Sequence, residues 1–216
     1  MDARDLVNGL IMYLGLLVLL TFHEFGHAWM AWRCGDDTAR IQGRVSLNPL
    51  AHIDPIGTVL LPLIMILLPG AGRFLVGWAK PVPVNPYNLR NPKVDDILVT
   101  LAGPWMNLLL AVLLMGLARV GMMANSSGMV EICFLWANLS LMLCFFNLLP
   151  IPPLDGSQVV RSVMGMSYEA YHQFARYGFL ILILVLQFPL VRHTLALVTN
   201  GSQNIISGFF GIPVEI

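Results

Sequence analysis

Apolar residues in this chain gather into long runs rather than short alternations, and those runs set the expected elements. Residues 6–22 are almost wholly apolar, and the helical pattern continues through His27 to about Arg33. At about 1.5 Å of rise per residue, that length crosses the ~30 Å of bilayer hydrocarbon. Residues 95–120 predict a second long helix, with Asp95 and Asp96 as its caps. After a short uncharged turn at 121–128, residues 130–149 predict a third. The sequence PIPPLDG breaks it, and a helix resumes from there through Met164. Residues 174–198 predict a last span, kinked at Pro189.

Between these runs the pattern changes. In ARIQGRVSL, residues 39–47, Ile41, Val45 and Leu47 stand two or four apart. Period two predicts a short strand, with Gly43 as a bulge. Residues 56–68 are apolar but short, and Pro62 and Pro69 interrupt them, which suits a re-entrant hairpin better than a full span. Residues 70–91, containing GWAKPVPVNP, predict an extended loop, and the apolar tail 201–216 stays unassigned. Together these describe an all-α polytopic membrane protein. It is a bundle of about four to five transmembrane helices with a re-entrant segment and a short β element. One membrane-embedded domain is expected over residues 1–216, with its core at 6–165, a further helix at 172–198 and the tail.

Composition agrees. Only 11% of the 216 residues are charged and 57% are hydrophobic, whereas soluble domains carry about 25% charged residues. Mean hydropathy is +0.74. Twelve Lys and Arg balance twelve Asp and Glu, so no basic face offers itself to nucleic acid. Three cysteines are scattered without a CxxC spacing, which argues against both a disulfide framework and a cysteine metal site. The first apolar run leads straight into HEFGH without a small-residue cleavage site, so a retained span is expected rather than a leader. Arg33, Arg40 and Arg44 precede the 56–68 segment, and Arg73, Lys80, Arg90 and Lys93 follow it. If that segment re-enters, both basic loops are cytoplasmic, as the positive-inside rule prefers.

The candidate chemistry lies at the end of the first span. His23-Glu24-Phe25-Gly26-His27 is an HExxH motif. On a helix, residues four apart share a face, so two imidazoles can bind one ion, with Glu24 beside them as a general base. HExxH alone is a weak signal, but ionisable residues inside an apolar span are costly and usually functional. An open tetrahedral site needs a third protein ligand. Asp155 is the leading candidate, although it could equally be a helix N-cap; His52 and Asp54 are its rivals. Topology separates these cases. His23 lies about 25 Å along the first span. If 56–68 re-enters, Asp155 arrives at that same face; if it crosses, Asp155 ends about 30 Å away. His172 and His193 are isolated and expected to be surface or packing residues.

Three motifs in order, HEFGH at 23–27, AGPWMN at 102–107 and NLLPIPPLDG at 147–156, resemble the site-2 protease family of intramembrane zinc metalloproteases. NPLAHIDPIGT and GWAKPVPVNP are similar to its compact bacterial and archaeal branch, and the resemblance covers about residues 6 to 165. It implies one Zn²⁺ held by His23, His27 and Asp155, with Glu24 as the catalytic carboxylate. It also implies membrane-protein or peptide substrates and a site reached from the cytoplasmic side of a prokaryotic membrane. Asn107, Asn147 and His52 become candidates for substrate contact or for support of the ligands. Ser157 stands where the family often has a second glycine after LDG, and the chain has no room for a PDZ or CBS domain. Two other classes compete: a metal-ion transporter, which would favour internal repeats, and an inactive protease-like binding protein.

Overall fold

The computed structural model describes residues 3–67 and 77–213. Leu68, Pro69, Arg73, the start of the 70–91 loop and the last three residues of the tail lie outside the described residues. Helix α1 runs Ala3–Arg33 and a short α2 runs Thr38–Ile41. A π turn at Pro55–Leu60 passes directly into α3, Leu61–Leu67. Then follow α4 (Pro92–Met123), α5 (Ser127–Asn147), α6 (Asp155–Met164), α7 (Tyr168–Ala175), α8 (Gly178–Gln187) and α9 (Pro189–Phe209). Helices α1, α4 and α5 are long and apolar enough to cross a membrane, and α8 with α9 makes a fourth if that bent pair is one span. The described residues thus hold three to four candidate spans, meeting the expected four to five at four.

Helix α4 is the hub, packing against α1, α5, α6 and α9. Small side chains allow the close approach, as is usual where lipid supplies no hydrophobic drive between helices. Ala111, Ala118 and Ala137 are fully buried between α4 and α5. Gly26 of α1 lies so close to α4 that a Cβ there would come within 2.7 Å of the Ala102 carbonyl oxygen. Gly15 of the same helix faces the Trp136 indole of α5, whose Nε1 donates to the Ile11 carbonyl at 3.1 Å. Polar ties add to this packing: Asn138 of α5 donates to Gln203 of α9 at 2.6 Å.

The described parts of the segment between α1 and α4 are tied to one another, and Arg90 N donates to the Cys34 carbonyl at 3.1 Å, joining the end of α1 to the approach to α4. Trp78 N donates to the Gly57 carbonyl at 3.2 Å, the Thr58 hydroxyl donates to the Trp78 carbonyl at 2.7 Å, and Lys80 N donates to the His52 carbonyl at 2.9 Å. Meanwhile α3 carries Ile66 along α1 to Gly9. Asp36, fully buried, ties the other end of the connection. It accepts from Thr38 N at 3.0 Å, Asn85 N at 2.7 Å and the Asn88 amide at 3.0 Å.

Several expectations need correction. Residues 39–47 form no strand, and none occurs among the described residues. Thr38–Ile41 turns into a helix, Gly43 follows at φ +69°, and Arg44 folds inward to the Lys80 and Pro81 carbonyls. Local alternation loses here to long-range hydrogen bonding. The last span is broken rather than kinked, with α8 and α9 meeting at 84°. Phe188 is extended, as a residue before proline prefers. Helix continues through the tail to Phe209. At the start of α4, Asp95 does accept from Asn91 N at 2.7 Å, but Asp96 points inward to Arg161.

Candidate metal centre

The HExxH spacing does on α1 what helical geometry requires: His23 and His27 project from one face, both buried. Their Nε2 atoms are 3.1 Å apart. Asp155, at the first turn of α6, puts Oδ2 3.2 Å from His23 Nε2 and 3.5 Å from His27 Nε2. It is not an N-cap, since Leu154 holds that position and the carboxylate is turned to the histidines. This triad is the one potential metal-binding group among the described residues, its ligand atoms all within 4.8 Å of one another.

Helix α4 orients the two imidazoles. Asp96, Val99, Gly103 and Asn107 recur at spacings of three and four and so share one face. The Val99 carbonyl accepts from His27 Nδ1 at 2.8 Å. A carbonyl only accepts, so Nδ1 carries the proton and a neutral His27 bares its Nε2 lone pair. Pro104, one residue after Gly103, has no N–H to donate to the Thr100 carbonyl within the helix. Asn107, fully buried, places its amide 3.1 Å from His23 Nδ1. Gly103 forms the floor: a Cβ there would lie 2.7 Å from His23 Nε2 and 2.6 Å from His27 Cε1.

The donor set fits a tetrahedral cation. Bonds of about 2.0–2.1 Å would set ligand atoms about 3.3 Å apart, and the three separations here bracket that value. Asp155 Oδ2 is buried and has no hydrogen-bond partner. A bare carboxylate oxygen facing two imidazole nitrogens is electrostatically costly unless positive charge lies between them.

The remaining candidates are placed as follows. Glu24 follows His23 on α1, half-buried. His52 is 2% exposed; its Nε2 donates to the Ser46 carbonyl at 2.8 Å, while Nδ1 is buried without a partner. Burial pushes its pKa below the ordinary imidazole value, so it is neutral near pH 7. Glu24 acts electrostatically on both His52 and Arg44. Asp54, the rival ligand, caps the π turn by accepting from Ile56 N and Gly57 N. Asn147 donates to the Leu143 carbonyl at 2.9 Å within its own helix and lies outside the triad. His172 and His193 are exposed. Val99, Gly103 and Asp96 are absent from the sequence-derived candidates. A backbone acceptor leaves no residue signal, whereas the 96-99-103-107 stripe is readable as one helix face.

Membrane-length helices around a candidate two-histidine, one-carboxylate metal site define the class to which this architecture belongs. The description "Peptidase family M50" matches residues 11–125 and 115–186, and the chain belongs to that family of integral membrane proteins. It is 37% identical over 203 residues to "Putative zinc metalloprotease YwhC" of Bacillus subtilis (strain 168), covering 90% of this chain and 88% of that one. With "Putative zinc metalloprotease Rip2" of Mycolicibacterium smegmatis it shares 36% over 182 residues, 83% of this chain and 68% of the other. With Rip2 of Mycobacterium tuberculosis (strain H37Rv) it shares 40% over 143 residues, 66% and 52% of the two chains. No solved structure matches the chain.

Proposed function

We propose that this protein is an intramembrane zinc metalloprotease that hydrolyses peptide bonds in or near transmembrane segments of membrane-protein substrates. The carrying observation is the convergence of His23 Nε2, His27 Nε2 and Asp155 Oδ2 in a chain whose relatives are named zinc metalloproteases. Those three residues are the ligands, and two imidazoles with one carboxylate suit one Zn²⁺. When bound, zinc supplies Lewis acidity, making water nucleophilic near neutral pH and polarising the scissile carbonyl. Glu24 removes the proton from the attacking water as the new C–O bond forms, then delivers it to the leaving nitrogen as the C–N bond breaks. Val99 and Asn107 keep the two imidazoles aimed, the role usual for partners of metal-bound histidines.

A helical substrate hides its carbonyls in its own hydrogen bonds, so segments weakened by Gly, Pro or Asn are cut more readily. His52, with a free buried Nδ1 acceptor, contacts the unwound substrate backbone, and the 48–54 loop lines a polar opening for water. Asn147 shapes the end of α5 rather than touching substrate. The site faces the cytoplasm of a prokaryotic membrane, the 56–68 segment re-enters, and residues 1–216 work as one domain. The hydrogen bonds joining Trp78 to Gly57 and Thr58 support that re-entry. Purified Glu24→Gln protein in proteoliposomes tests the reading: zinc is retained and cleavage of a membrane substrate is lost. Cleavage at the wild-type rate would remove Glu24 from the mechanism.

A further inference from the structure

The ligands come from two helices, but only one has an obvious means of holding its own in place. His23 and His27 sit deep in α1, fixed by α4 contacts on both Nδ1 atoms. Asp155 sits at the very start of α6, a helix of 10 residues following a proline-broken connection. Something must set the rotation of α6, because a turn of about 10–20° is enough to spoil a metal or catalytic geometry.

Six and seven residues after Asp155, α6 presents Arg161 and Ser162, both buried. Asp96 of α4 accepts from both through Oδ2, and from the Tyr168 hydroxyl of α7 through Oδ1 at 2.9 Å. Arg161 in turn donates to Gln158 and to the Tyr168 hydroxyl at 3.0 Å each, and its guanidinium lies 3.8 Å over the Tyr168 ring. Seven residues make almost two full turns, so Ser162 lies on the same face of α6 as Asp155. Asp96 itself is three residues before Val99, whose carbonyl orients His27. One face of α4 thus grips both the helix bearing the carboxylate and a ring of the histidine pair. Burial and Asp96 push the Tyr168 phenol up to about 12, so it remains a donor.

We propose that the Asp96–Arg161–Ser162–Tyr168 cluster is a positioning device that sets the rotation of α6 and so brings the Asp155 carboxylate into register with His23 and His27. This rests on the reading of those three residues as the zinc ligands. Asp96 and Arg161 pair with each other and lie outside the His23–His27–Asp155 triad. A buried pair that served only stability could be replaced by neutral partners without consequence for the metal.

The test is zinc affinity, measured by chelator competition on the purified full chain in detergent, beside thermal stability and cleavage kinetics. Asp96→Asn alone strands Arg161, so the double variant Asp96→Asn/Arg161→Gln and the single Tyr168→Phe keep the test interpretable if it fails to fold. Folded variants are expected to bind zinc about 10–100-fold more weakly, with kcat reduced, KM unchanged and activity recovered by excess zinc. Gln203→Ala, cutting the remote α5–α9 tie, lowers stability and leaves zinc affinity unchanged. His23→Ala separates the two readings. If it binds zinc like wild type, the ligand assignment fails; if it loses zinc while the double variant and Tyr168→Phe keep wild-type affinity, the positioning role alone is overturned.

Discussion

Gly103 shows most directly how one residue shapes the centre. A methyl group there enters the space between the imidazoles, 2.7 Å from His23 Nε2, while alanine itself suits a helix better than glycine. Gly103→Ala is therefore expected to fold and to lose zinc affinity by ~10-fold or more, read by chelator competition. Asp36 offers a contrasting case outside the centre. Its burial opposes ionisation, but donation from Thr38, Asn85 and Asn88 outweighs it and holds the carboxyl below its ordinary value of 3.8. A lowered folded-state pKa stabilises the fold above the unfolded value and stops doing so as pH falls through the folded one. Asp36→Ala should cost about 1–3 kcal/mol at neutral pH, from donors left without an acceptor. The gap in melting temperature from wild type should close as pH drops below about 4. The histidine pair was legible as candidate ligands because two histidines four apart in an apolar span have few other uses. Gly103 and Asp36 were not, since their importance lies in what residues tens of positions away do around them.

Helix α4 dominates at the scale of elements. Its small residues admit α1, its carbonyl at Val99 steers His27, and Asp96 grips α6. Gly26→Val, which forces branched carbons against the Ala102 carbonyl, should separate α1 from α4. Overpacking of this kind costs about 1–3 kcal/mol, and the same displacement should weaken zinc binding, measurable together by thermal denaturation and chelator titration. Long apolar runs made α1, α4 and α5 readable to within a few residues. The expected 39–47 strand failed because three alternating apolar residues carry little weight against Arg44 reaching the carbonyls of Lys80 and Pro81. The α8–α9 break did carry a signal in Phe188-Pro189, where a residue before proline avoids the helical region.

For the whole molecule, the deciding proposal is that the chain between α1 and α4 returns to the side of the membrane it left, consistent with Asp155 meeting histidines more than a hundred residues away. Charge bias in the sequence pointed the same way. Cysteine labelling tests it, since the native cysteines are buried. Cysteines at the exposed positions Ile41 and Tyr87 should react with an impermeant reagent from one side of the membrane, and one at Ser126 from the other. Reaction of Ile41→Cys and Tyr87→Cys from opposite sides would mean a full crossing between them.

The most direct measurement is a structure of the zinc-loaded protein in which the ion is located by its anomalous signal. It should lie within about 2.2 Å of His23 Nε2, His27 Nε2 and an Asp155 carboxylate oxygen. An ion held elsewhere, or by the histidines with Asp155 turned away, would contradict the account.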